Sequence, residues 1–154
     1  MELEYLHPML VHFPIALTLA GTGLLAWGAW KDRGEAIRAA LLLFVLGGVL
    51  VLPTYLTGQV ARAVMEDAGS FERALPLLDH HEDLGLTSAA ALTALAVLSG
   101  LALWKKREEK GRPWGLLLLA LACTALIVLT AFQGGRLVFR EGVVVRVESR
   151  SSGP

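Results

Sequence analysis

The chain alternates between long apolar stretches and short charged ones. Four apolar blocks stand out, from about Met9 to Trp30, Ile37 to Gly58, Leu84 to Trp104 and Trp114 to Phe132. Each is close to the roughly 20 residues needed to cross about 30 Å of hydrocarbon. Lipid offers the backbone no hydrogen-bond partners, so such blocks must satisfy their own amides, as helices. The pattern predicts an all-α integral membrane protein, one domain over residues 1–154 folded as an antiparallel four-helix bundle. Composition agrees: 55% of residues are hydrophobic and mean hydropathy is +0.57, against roughly 45–50% apolar residues in soluble domains. The first block follows Glu2 and Glu4 rather than basic residues and is long for a secretory signal, so it is expected to stay as an anchor.

The polar segments carry further expectations. After the fourth block, Leu137-Val138-Phe139 and Val143 to Val147 read as strands around Arg140-Glu141-Gly142, a short C-terminal β-hairpin outside the membrane within 133–154. The link from about Gln59 to Asp83 has room for short surface helices, one of them capped by Ser70. Asp79 with Glu82 three residues on is a helix-start signal, which puts His80 and His81 in the first turn of the third span. Spans one and three both open with histidines, but no internal sequence repeat is evident.

Charge sets the expected orientation. Lys31, Arg33 and Arg38 fill the first link, and Lys105, Lys106, Arg107, Lys110 and Arg112 the third, while the middle link is mainly acidic. By the positive-inside rule the basic links are cytoplasmic, and both termini face out. Arg136, Arg140, Arg146 and Arg150 run against this, but short loops dominate the rule. Trp27, Trp30, Trp104 and Trp114 flank the basic links, as headgroup-level tryptophans do. A bacterial inner-membrane, multi-pass location with an outward histidine cluster is the expectation.

Candidate chemistry concentrates at one end. Cys123 is the lone cysteine and lies inside the fourth block, so it reads as packing. Net charge is zero and no basic stripe with interleaved aromatics is present, so nucleic acid is not an expected partner. The four histidines, His7, His12, His80 and His81, all fall at the outer mouth. Ionisable groups beside hydrocarbon are costly and mark functional sites by default. Pro14 removes the amide that would bond the Leu10 carbonyl, which predicts a kink or bulge near His12. His12 lies above Ala16, Ala20 and Gly23, and His81 above Gly85, Ser88 and Ala89. Two histidines over small-residue strips leave room for a flat macrocycle, the requirement of a bis-histidine haem b. On this reading His12 and His81 are axial ligands, His7 is a supporting partner, and Gly85 and Ala16 line the cofactor.

Two other readings use the same atoms. His7, His12, His80, His81 and Glu82 form a nitrogen-rich set for a divalent metal ion such as zinc or copper, or for iron. Alternatively, small-residue strips only pack helices closely, and the histidines are structural. Thr54, Tyr55, Thr57, Gln59 and Gln133 also end spans at this mouth, where they could hold a histidine's second nitrogen or line a quinone-sized pocket.

HPMLVHFPIAL at the start, TGQVAR after span two, HHEDLG at span three and QGGRLVFREGVVV after span four occur in that order. Together they resemble the bacterial four-helix membrane family known as domain of unknown function 2231, with its HPxxVHFP opening. The resemblance covers nearly the whole chain. His7, His12 and His81 match the family's histidines, and Gly58, Gly134 and Gly135 its glycines; His80 is outside the pattern. Similar relatives are often joined to cytochrome c or Rieske modules, which implies electron transfer. The expected function is thus a small redox or binding subunit rather than a stand-alone enzyme. Its expected partners are the lipid bilayer, a quinone, another redox protein and a second copy in a homodimer.

Overall fold

The computed structural model describes residues 6–67, 74–105 and 113–140, with side chains of the first stretch described as far as 64. All five elements are helices: α1 (Leu6–Leu10), α2 (His12–Lys31), α3 (Gly34–Asp67), α4 (Leu75–Trp104) and α5 (Trp114–Phe139). Helices α1 and α2 together make one candidate span, and α3, α4 and α5 supply three more. The bundle is a ring in which each long helix packs on its chain neighbours and α5 closes back on α2. Over the described residues the protein is an all-α membrane bundle with four candidate spans.

The apolar surface is turned outward. Leu118, Leu129, Phe132 and Leu56 are more than half exposed, as lipid-facing residues are. The interior is narrow, built from Leu25, Ala40, Phe44, Leu92, Leu95, Ala120 and Cys123. Helices approach closely where side chains are small: a Cβ on Gly48 of α3 would lie 2.3 Å from the Ala96 Cβ of α4. Hydroxyl pairs stitch the ring, Thr22 with Thr124 at 2.9 Å and Ser88 with Thr130 at 2.8 Å. Such small-residue contacts and interhelical hydrogen bonds are what hold helices together in lipid, which has no hydrophobic drive of its own to offer. The four tryptophans are exposed where α2 and α4 end and α5 begins, one belt at one end of the bundle.

Several expected boundaries move. Helix α5 runs through Leu137-Val138-Phe139 to Phe139, with the Arg140 amide donating to the Arg136 carbonyl at 2.9 Å. The first strand of the expected hairpin is therefore helix, and the described residues contain no strand. The second strand, like the surface helix capped by Ser70, lies outside the described residues. Helix α4 starts at Leu75, with Pro76 in its first turn, so Asp79 sits inside the helix instead of capping it. His80 and His81 are consequently in its second turn.

The structure also reveals a repeat that the sequence hides. Buried Pro14, Thr18, Gly21 and Leu25 of α2 recur with the same spacing as buried Ser88, Leu92, Leu95 and Ser99 of α4. Buried Leu41, Phe44, Val51 and Ala61 of α3 recur likewise as Leu117, Ala120, Ile127 and Leu137 of α5. The residue types differ almost throughout, and what repeats is which positions point inward. The bundle is two similar helical hairpins, α1–α3 and α4–α5, side by side.

Gly48→Ala should destabilise the protein by about 1–3 kcal/mol, the usual cost of forcing a methyl into a filled contact. Gly23, where a Cβ meets nothing within 4 Å, is the control: Gly23→Ala should be neutral or stabilising by up to about 1 kcal/mol. Unfolding in detergent followed by circular dichroism measures both. Equal effects would contradict the close α3–α4 approach.

Candidate functional site

The site begins with a helix break. Pro14 has no amide hydrogen, so the Leu10 carbonyl loses its helical partner and the chain breaks at Val11, between α1 and α2. The join is held by the Val11 amide on the His7 carbonyl at 3.1 Å and the Ile15 amide on the Val11 carbonyl at 3.4 Å. The expected distortion near His12 is present, and it serves His7. The short α1 packs on α3, and the His7 ring meets that helix with Nδ1 2.9 Å from the Thr54 carbonyl oxygen. A carbonyl can only accept, so Nδ1 carries the proton. In the neutral ring Nε2 is then the lone-pair nitrogen.

Two residues of α3 shape this contact. Gly58 leaves the ring its space: a Cβ there would lie 3.0 Å from His7 Cε1 and 3.2 Å from its Nδ1. The Thr57 hydroxyl donates to the same Thr54 carbonyl at 2.9 Å, while the Thr54 hydroxyl turns back to the Leu50 carbonyl at 2.8 Å. The peptide of Thr54 is thereby a fixed acceptor for the ring.

His81 occupies the matching place in the second hairpin. Its ring lies over Gly134 of α5, where a Cβ would be 3.0 Å from His81 Cε1. It faces the Thr130 carbonyl, and Thr130 precedes Gly134 by one turn, as Thr54 precedes Gly58. The Thr130 hydroxyl turns back to the Leu126 carbonyl at 2.9 Å, the same arrangement as in Thr54. The equivalence has one gap. His81 Nδ1 is enclosed but makes no well-aligned hydrogen bond, unlike His7 Nδ1. Both rings lie at the end of the bundle opposite the tryptophans.

The other expected site residues lie elsewhere. His12 is exposed on the outside of the bundle, and Ala16, Ala20 and Gly23 share its outward face. The cause is the register of α2, whose Pro14, Thr18, Gly21, Thr22 and Leu25 point inward. The expected pairing of His12 with His81 over Ala16 therefore does not form, and His7 is the half-buried histidine of the first hairpin. Gly85, Ser88 and Ala89 do lie inward from His81, and Gly85 has open space beside it, nothing within 4 Å of a Cβ. His80 is exposed. Glu82 is held with Asp79 by Arg62 of α3, the Asp79 contact being 2.7 Å. Among the described residues no three histidine, cysteine or acidic side chains gather as a metal set, so the expected grouping of His7, His12, His80, His81 and Glu82 does not form. Tyr55 packs against the core cluster and Gln133 accepts from Arg136.

The family description that matches the chain, over residues 4–147, is that of domain of unknown function 2231, a predicted membrane protein. The chain belongs to this family. No curated protein and no solved structure matches it. In this chain each of these histidines is seated on a glycine of the helix that follows, His7 on Gly58 and His81 on Gly134. Thr130 escapes a motif reading because its signal is only a threonine one turn before a glycine, near the end of spans two and four alike.

Proposed function

We propose that this protein is a small membrane redox protein that holds a b-type haem through His7 and His81. The observation that carries the reading is the pair itself: one imidazole from each hairpin, each against a glycine at the same end of the bundle. The donor set fits haem better than a bare ion. Haem would bring its own nitrogens to the iron, so His7 and His81 would suffice as the protein's ligands. A bare zinc or copper ion would need further ligands, and the described residues gather none. The open space at Gly85 is a further feature of a place with room for another group.

The chain's own residues would do the positioning. The His7 Nδ1–H bond to Thr54 fixes the tautomer and leaves Nε2 as the lone-pair nitrogen, as in a ligating histidine. Gly58 and Gly134 keep the rings flat against their helices. The lipid-facing residues exclude water from the flanks. Haem in this position supplies reversible one-electron chemistry at one membrane face. A membrane quinol and a second redox protein are the partner classes suited to such a site. We place that face outside, in a bacterial inner membrane, because the basic links flank the tryptophan end.

The absorption spectrum of the detergent-purified protein tests the cofactor. A Soret band with reducible α and β bands is expected, abolished by His7→Ala or His81→Ala and kept in His12→Ala. A colourless protein would overturn the haem reading, and loss of the bands in His12→Ala alone would overturn the ligand pair. Orientation has its own test. A reporter fused after Glu108 should read cytoplasmic, and an external reading would reverse the topology.

A further inference from the structure

Gly134 is required by His81, but its neighbour Gly135 is not explained by packing. A Cβ on Gly135 would meet nothing within 4 Å. Gly135 instead lines an open recess of about 450 Å³ with Phe132, Arg136, Phe139 and Arg140. These residues fall on one face of the last turns of α5, where helical neighbours are three and four apart. Phe132 and Phe139 are 65% and 90% exposed and pack on nothing in the core. They wall a recess whose floor is the missing side chain.

Its charge is unbalanced. Arg136 donates from Nη1 to Gln133 Oε1 at 3.1 Å, and Arg140 is exposed. Among the described residues neither guanidinium has a carboxylate partner; the acidic pair at this end is bound by Arg62. Two like charges one turn apart repel, and an anion between them relieves that repulsion. The recess also lies at the end of a membrane span. Below Phe132, exposed Val128, Leu129 and Leu121 continue along α5. An arginine at such a level extends its apolar stem along hydrocarbon and its head towards the headgroups.

We infer that this recess binds an anionic phospholipid, with the headgroup phosphate held by Arg136 and Arg140 and an acyl chain laid along Phe132 and Leu129. The guanidinium fork matches phosphate geometry. Gly135 gives the headgroup access to the helix, and the aromatic walls cover the glycerol region. A net negative lipid is selected over a zwitterionic one because, among the described residues, the two positive charges have no carboxylate partner. The inference is independent of what the histidines hold.

The test uses the full-length protein in mild detergent, with phosphatidylglycerol or phosphatidylcholine added and retained lipid counted by native mass spectrometry. Phosphatidylglycerol should be retained in preference to phosphatidylcholine. Arg136→Gln with Arg140→Gln should weaken its retention on the order of tenfold. Gly135→Leu should do the same by filling the recess, and the open space there keeps the fold intact, as helicity and elution volume will report. Arg38→Gln, at the other end of the bundle, should change nothing. Equal retention by wild type and the variants, or no preference between the lipids, overturns the proposal. Displacement of the lipid by inorganic phosphate alone would assign the recess to free phosphate and also overturn it.

Discussion

A ring nitrogen at the edge of hydrocarbon must find its hydrogen bond inside the protein, and the bond from His7 Nδ1 to the Thr54 carbonyl meets that demand. Much of the histidine end follows from it. The bond needs α1 to pack on α3, and α1 joins α2 at Val11 with helical backbone, where Pro14 leaves the Leu10 carbonyl without its amide. It needs a carbonyl that can take more than one donor, which Thr57 and His7 both use. It needs a helix surface without a side chain, which Gly58 provides. A hydrogen bond of this kind contributes about 1 kcal/mol net, but leaving the group unpaired costs more. The asymmetry between those two figures explains why so much local structure is arranged around one ring.

The second hairpin repeats the plan with one difference. Thr130 and Gly134 stand to His81 as Thr54 and Gly58 stand to His7, yet His81 Nδ1 stays unpaired. No Pro14-like break precedes His81: α4 is continuous from Leu75 to Trp104. The ring is thus carried within an unbroken helix, while His7 lies on the short α1 ahead of Val11. One histidine is fixed by its own hydrogen bond and the other by its surroundings. The Arg62 contacts to Asp79 and Glu82 join the two hairpins close by.

Much of this was legible in the sequence. Four apolar blocks are a strong signal because lipid forces each to be a helix, and the tryptophans and basic links mark one end without ambiguity. The ends of the helices were harder. Leu137 to Phe139 look like a strand by composition, but the helix continues because its amides keep their partners across Gly134 and Gly135. Asp79 has the residue type of a cap, and Pro76 had already begun the helix upstream. His12 reads as the ligand in the sequence because Ala16, Ala20 and Gly23 follow it along one helix face. Which face of α2 points inward depends on Thr18, Gly21 and Thr22, small residues that carry little hydrophobic periodicity in a helix apolar all round. The repeat was hidden for the same reason: it lives in burial, and Thr18 answers to Leu92 and Leu25 to Ser99.

The central claim is the proposed partnership of His7, rather than His12, with His81. Cysteine pairs test it without reference to any cofactor. In a Cys123→Ser background, His7→Cys with His81→Cys should be joined by a short bifunctional thiol reagent in native membranes. Proteolysis of the link between α3 and α4 would then leave the two halves together on a denaturing gel. The His12→Cys, His81→Cys pair should give separated halves. Joining of the His12 pair and not the His7 pair would contradict the account.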